Sequence, residues 1–240
     1  MICKVYELNK LKTYKYIVVL SEYNGKMLLS RHRNRITWET QGGHIEQGES
    51  PLEAARRELY EESGATEYEI NPLCDYWAGN PITKDGANGM VFTAKITKLS
   101  PIPESEMAEV RAFDYLPQNL TYPEITPILF AKKSIGKEVT VIVDRKAGTY
   151  HPEHNDIYYD INYGYIKNII AGDGEEQDAY ILGIKEPLDS FTGTVKAVIH
   201  RFDDIEDKWI VCPPDYDITE NEIIKQVEFQ EKYFKTCIVL

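Results

Sequence analysis

The sequence predicts an α/β protein in two parts: an α/β/α sandwich over residues 1–131 and a β-rich second half ending in a helix, residues 138–240. Three observations carry this. Strand-like runs, a hairpin turn and a capped amphipathic helix alternate in the first part. A short polar stretch containing glycine, residues 132–137, marks a boundary and reads as a linker. The texture then changes to a run of β-branched residues and to aromatic segments punctuated by glycine. A chain of 240 residues is long enough for two domains, each with its own core.

Taken in order, Tyr16 to Leu20 is strand-like, Asn24-Gly25 is a hairpin turn, and Lys26 to Ser30 returns as the second strand. Trp38-Glu39-Thr40 leads into Gly42-Gly43. Ser50 is placed as a helix N-cap, Pro51 takes the first helical position and Glu53 closes a capping box. Gly64 supplies a left-handed stop. Leu52, Ala55 and Leu59 share one face and are expected to pack on a sheet. Further strands are expected from Tyr68 to Thr97, broken by the turn-rich segment Lys84 to Gly89. Glu109 to Phe113 reads as a late strand, and Tyr122 to Phe130 as a closing helix. In the second half Val139 to Arg145 is a strand, and Glu220 to Lys235 is helix-like.

Charge and composition narrow the function. The formal net charge of −12 argues against a nucleic-acid polymer as partner. No apolar run is long enough to span a bilayer, and no signal-peptide pattern is present, so no membrane partner is expected. Cys3, Cys74, Cys212 and Cys237 are scattered and read as reduced thiols in a cytoplasmic protein. The basic run Arg31-His32-Arg33-Asn34-Arg35 fits either a solvated loop or a grip on substrate phosphates. His151 and His154 lie in a turn-like segment, where solvated loop residues are expected rather than a metal site.

The chemistry concentrates between Gly43 and Ala65, which read Gly-x5-Glu-x7-Arg-Glu-U-x-Glu-Glu-x-Gly-U, where U is apolar, with every fixed position filled. Glu58, Glu61 and Glu62 stand at i, i+3 and i+4 and project together from one helix face. Clustered carboxylates of this kind suit hard divalent cations, Mg²⁺ or Mn²⁺. The segment resembles a Nudix box, and residues 1–131 are identified as resembling the Nudix hydrolases. The resemblance implies metal held by Glu58, Glu61 and Glu62, with the Gly42 carbonyl as a further ligand. Arg57 would orient the carboxylates through Glu49 or Glu61. Glu61 is the first choice for the base that takes the proton from water, with Glu106 and Glu109 as alternatives. Trp77 and Asn80 are candidates for base stacking and hydrogen bonding. A homodimer is the assembly this family suggests.

Three patterns mark the second half: Asn162-Tyr163-Gly164-Tyr165-Ile166, then Asp173-Gly174-Glu175-Glu176-Gln177-Asp178, then Asp203 to Lys208. With Val143-Asp144-Arg145, they resemble the family I soluble inorganic pyrophosphatases. This implies a small OB-like β-barrel with a C-terminal helix. It also implies metal at Asp173, Glu175, Asp178, Asp204 and Glu206, with Glu175 catalytic, and phosphate at Arg145, Tyr163, Lys208 and Tyr233. Glu175 stands where that family has Asp, and Tyr233 is followed by Phe234 where it has Lys.

The pairing of domains suggests a substrate. If the second site consumes pyrophosphate, the first should make it, by cutting a nucleoside triphosphate, damaged or non-standard ones included, to the monophosphate. The expected partners are small nucleotides and pyrophosphate. The alternative is an ADP-ribose-type pyrophosphatase, for which Pro81 is a pointer, with a non-catalytic phosphate-binding or regulatory second domain.

Overall fold

The computed structural model describes residues 1–150 and 158–240; His151 and His154 lie outside the described residues. The chain divides into two compact units, Met1–Lys133 and Ser134–Leu240.

The first unit is built on a seven-stranded sheet. Its strands are β1 (Ile2–Tyr6), β2 (Tyr16–Tyr23), β3 (Lys26–His32), β4 (Gln41–His44), β5 (Ala65–Gly79), β6 (Gly86–Leu99) and β7 (Met107–Phe113). The order is β1-β5-β6-β2-β3-β7, with β4 on β2. β2 and β6 run parallel, and the other pairs are antiparallel. The β2–β3 turn is Asn24-Gly25, both at positive φ (52° and 77°), as a tight hairpin of this twist requires.

Helix α1 (Pro51–Ser63) starts at Ser50 with the full capping box and ends at Gly64, φ 73°. Ile17, Val19, Met90 and Phe92 point from the sheet towards α1, meeting Ala54, Ala55 and Leu59. Leu52 is 37% exposed, so Ala54 rather than Leu52 completes the buried stripe. The alternate residues Leu20 and Val91 face the opposite way, towards Leu129 of α2 (Thr126–Ser134). A two-residue side-chain period with a helix on each face gives the α/β/α sandwich. The helix α2 begins four residues later than expected, because 122–125 form a turn, and it reaches Ser134.

The second unit contains β8 (Glu138–Arg145), β9 (Thr149–Tyr150), β10 (Tyr158–Tyr159), β11 (Asn162–Ile170), β12 (Glu176–Ile181), β13 (Ser190–Arg201), β14 (Lys208–Cys212), α3 (Glu220–Glu231) and β15 (Thr236–Val239). The order β14-β12-β11-β8-β13 closes through a β13–β14 pairing, which makes a five-stranded barrel, and β15 adds to β13. Closure removes exposed edges. Its core holds Tyr159, Tyr163, Tyr180, Ile199 and Ile210, and Ile223 and Val227 of α3 pack against it. The helix stops at Glu231, and the rest of the expected helical stretch turns into β15. Tyr180 and Arg201 both bond the buried Glu231, locking α3 to the barrel.

All four cysteines are free thiols. Among the described residues no helix is long and apolar enough to cross a membrane.

Candidate functional site

The first cluster forms where α1 crosses β4. Gly42 and Gly43 are needed because of what lies against them. A Cβ on Gly42 would sit 2.4 Å from the Ile17 carbonyl oxygen of β2. A Cβ on Gly43 would sit 2.2 Å from Glu58 Oε1, so the Glu58 carboxylate rests on bare backbone. The Gly42 N–H donates to Glu62 Oε2 at 2.8 Å. The two glycines thus seat two box carboxylates against the sheet.

Arg57 ties the remaining carboxylates together. Its Nε and Nη2 fork onto Glu49 at 2.9 and 3.0 Å, and its Nη1 reaches Glu58 at 2.8 Å and Glu61 at 3.3 Å. Both expected partners are engaged, with Glu58 and the His44 carbonyl in addition. Glu49 is held below the usual carboxylate range by these hydrogen bonds. Burial pushes Glu58 up, against the pull of Arg57. Glu62 is pushed up to about 9, first by burial and then by the charges of Glu58, Glu39 and Glu106, despite the Gly42 hydrogen bond. Glu39, 5% exposed and tied to Arg35 at 2.8 Å, adds to this field. Glu39 lies outside the box, and no signal in its spacing marks it.

Several expectations resolve here. Glu109 is taken by Arg31 (2.9 Å) and Arg111 (2.6 Å), and these hydrogen bonds lower its pKa, which makes it a poor proton acceptor. Glu106 lies close enough for its charge to act on Glu58 and Glu62, and its carboxylate meets His32 at 3.3 Å. In the basic run, Arg31, His32 and Arg35 are thereby paired with acids, while the Arg33 side chain is exposed. Trp77 packs over Gly79 and Gly86, and Asn80 Oδ1 caps the turn N–H groups of Ile82 and Thr83. Both residues therefore brace the β5–β6 hairpin.

The second cluster lies in the barrel. Lys208, 2% exposed, donates to Asp178 Oδ2 at 2.5 Å and to Glu206, and the Tyr163 hydroxyl also donates to Asp178. Burial raises Asp178, but the charge and hydrogen bond of Lys208 outweigh it, and the net displacement is downward. Glu206 is pushed up to about 7, chiefly by burial. Asp178 therefore carries the charge and Glu206 holds the proton more readily. Burial, then the Asp178 charge, pushes the Tyr163 phenol far up. Arg145 lies over the Tyr163 ring at 5.2 Å, pairs with Asp144 at 2.8 Å, and its buried Nε has no hydrogen-bond partner.

The other barrel residues are dispersed. Asp204 pairs with Arg201 at 2.9 Å. Asp173 accepts the Glu175 N–H within its own turn, and Glu175 is exposed. Tyr233 is 62% exposed beneath Lys232. The structure thus ties Asp178, Glu206, Lys208, Tyr163 and Arg145 together, while Asp173 and Tyr233 make contacts within their own segments.

Among the described residues no three His, Cys, Asp or Glu side chains are grouped as a metal cage. The box carboxylates are held by Arg57 and backbone instead. Their chemistry nevertheless fits a hard cation. The donors are all oxygens, Glu58 has a glycine cradle, and Glu62 is a buried acid among like charges that a cation would neutralise.

Residues 12–122 match the NUDIX domain family. A stretch of 40 residues is 48% identical to an RNA pyrophosphohydrolase of Bartonella henselae, spanning 17% of this chain and 23% of that protein. A solved structure of the Bacillus subtilis pyrophosphohydrolase BsRppH is 25% identical, with a TM-score of 0.47, over 55% of this chain and 89% of that one. An inorganic pyrophosphatase from Ehrlichia chaffeensis is 19% identical, with a TM-score of 0.35, over 42% and 84%. That overlap is partial and assigns nothing to the barrel.

Proposed function

We propose that the NUDIX domain hydrolyses a nucleoside triphosphate to the monophosphate and pyrophosphate, and that the barrel cleaves the pyrophosphate to phosphate. The observation that carries the first step is the seating of Glu58 and Glu62 on Gly43 and Gly42, with Arg57 bridging Glu49, Glu58 and Glu61. A divalent cation held by Glu58, Glu61 and Glu62, with the Gly42 carbonyl available, would neutralise diphosphate oxygens and lower the pKa of a bound water. Arg57 holds three carboxylates in fixed relation, so little reorganisation is needed when substrate binds. Water oxygen bonds to the α-phosphorus, the α–β bridging bond breaks, and pyrophosphate leaves. Glu61 takes the water's proton. It is 48% exposed at the side chain, and its recorded tie is the 3.3 Å contact to Arg57. Glu106 is the second choice.

In the barrel, Arg145 offers a buried unpartnered donor, and Lys208 and the Tyr163 hydroxyl, both engaged with Asp178, lie beside it. These suit a small polyanion. Asp178 and Glu206 are the acids best placed for its metal and water.

One observation favours a second reading. Lys208 already pairs with Asp178 and Glu206, and Arg201 pairs with Asp204. That arrangement fits a barrel that binds phosphate without turnover, paired with a dinucleotide substrate such as ADP-ribose. The test is a panel of nucleoside triphosphates, ADP-ribose and a 5′-triphosphorylated RNA, with products resolved by phosphorus NMR. Monophosphate with pyrophosphate or phosphate from the free nucleotides supports the proposal. Cleavage of ADP-ribose with triphosphates untouched overturns it.

A further inference from the structure

The barrel unit carries a cleft that neither catalytic proposal uses. It has a volume of about 770 Å³ and lies between α3, the start of β11 and the loops after β12 and β14. Ligand pockets for small molecules occupy ~300–1,000 Å³, so a mononucleotide fits. Two aromatic rings wall it, Tyr216 and Phe229, and three lysines line it, Lys185, Lys225 and Lys232.

The walls follow from the sequence. Lys225, Phe229 and Lys232 are spaced i, i+4 and i+7, which puts them on one stripe of α3 and its C-cap. The opposite stripe, Ile223 and Val227, is buried on the barrel. Phe229 is half-buried and fixed edge-on to Tyr159 at 5.1 Å. Facing it, Gly183 has φ 88°, and a Cβ there would lie 3.1 Å from the Tyr216 ring. The glycine therefore lets that ring lie close over the backbone. Two rings held this way at low entropy cost form a stacking surface for a planar group. Lys185 and Lys225 form no ion pair among the described residues, and Lys232 lies over the Tyr233 ring. Asp160 and Glu228 also line the cleft, leaving a surplus of one positive charge from the five side chains.

We propose that this cleft is a second nucleotide site, which takes a nucleoside monophosphate or diphosphate with its base against Tyr216 and Phe229 and its phosphate among the lysines. The aromatic walls call for a planar base and the lysines for a phosphate. This inference stands apart from either catalytic reading.

The test is equilibrium binding of a fluorescent adenosine or guanosine monophosphate to the full chain, in chelator, so that metal-dependent binding elsewhere is silent. The comparison is Lys225→Glu/Lys232→Glu. Both side chains are exposed, so folding is preserved, and circular dichroism checks it. The expected result is saturable binding that the double variant weakens at least ~10-fold, equal to about 1.4 kcal/mol. Glu58→Gln should bind as the wild type does. Ribose 5-phosphate should compete at least ~10-fold less well than the nucleotide. No saturable binding, equal binding by the double variant, loss in Glu58→Gln, or equal competition by ribose 5-phosphate would each overturn the proposal.

Discussion

Adjacent glycines give opposite predictions. At Gly43 an added methyl meets only the end of the Glu58 side chain, at 2.2 Å from Oε1. To reach an ordinary separation of 3.4 Å the carboxylate must retreat by about 1.2 Å. The Gly43 backbone is not in the left-handed region, so alanine is locally unstrained. Stability should therefore change by no more than ~1 kcal/mol in Gly43→Ala. The carboxylate, however, leaves its seat and disturbs its 2.8 Å bond to Arg57. A misplacement of about 1 Å can cost ~100-fold, or about 2.7 kcal/mol, in the reaction barrier. At Gly42 the methyl meets the Ile17 carbonyl at 2.4 Å and Val18 Cα at 3.1 Å, both in the β2–β4 ladder. Neither moves without breaking the ladder, so Gly42→Ala should lose ~1–3 kcal/mol of stability. Thermal unfolding reads the stability change, turnover reads the barrier, and Mn²⁺ binding followed by electron paramagnetic resonance reads the carboxylate seat without assuming a substrate. A Gly43→Ala protein that binds Mn²⁺ and turns over like wild type would refute the cradle. So would one as destabilised as Gly42→Ala.

Three further outcomes are expected. Glu62 has its folded pKa raised to about 9, so without metal the folded protein keeps a proton that the unfolded chain releases near pH 4.5. That stability is complete below pH 4.5 and is lost as pH rises through 9; Glu62→Gln should flatten this slope in metal-free thermal melts while abolishing turnover. Arg57→Lys removes the fork onto Glu49 and should lower turnover by ~10–100-fold, with kcat falling rather than KM rising. Arg201, 3% exposed, bonds Glu231 at 2.9 and 2.6 Å, so Arg201→Met leaves a buried carboxylate unpaired and should cost ~3–5 kcal/mol in urea unfolding.

What could be read in advance was local. Ser50, Pro51, Glu53 and Gly64 encode the bounds of α1 within their own neighbours, and Asn24-Gly25 encodes a turn needing two positive φ values. The box glutamates follow from helical spacing alone. Long-range pairing was harder to read. Nothing near Glu39 in the chain shows that it will stand by Glu62, and Glu106 is a candidate there only through the family resemblance. The packing of Trp77 over Gly79 and Gly86 follows from the β5–β6 register, which no local signal near Trp77 encodes. Leu52 lost its place in the core because the helix turns Ala54 inward, a difference of only part of a turn. In the barrel, acids that the pyrophosphatase resemblance would place around metal are partly taken up by Lys208 and Arg201, which arrive from separate strands.

The most direct test of the two-step account follows nucleoside triphosphate hydrolysis by the full chain in Mg²⁺, with pyrophosphate and phosphate measured separately. Wild type should release monophosphate and phosphate, Lys208→Met should accumulate pyrophosphate, and Glu62→Gln should release neither. Pyrophosphate accumulating in wild type would contradict the barrel's role. Monophosphate formation that survives in Glu62→Gln would contradict the site itself.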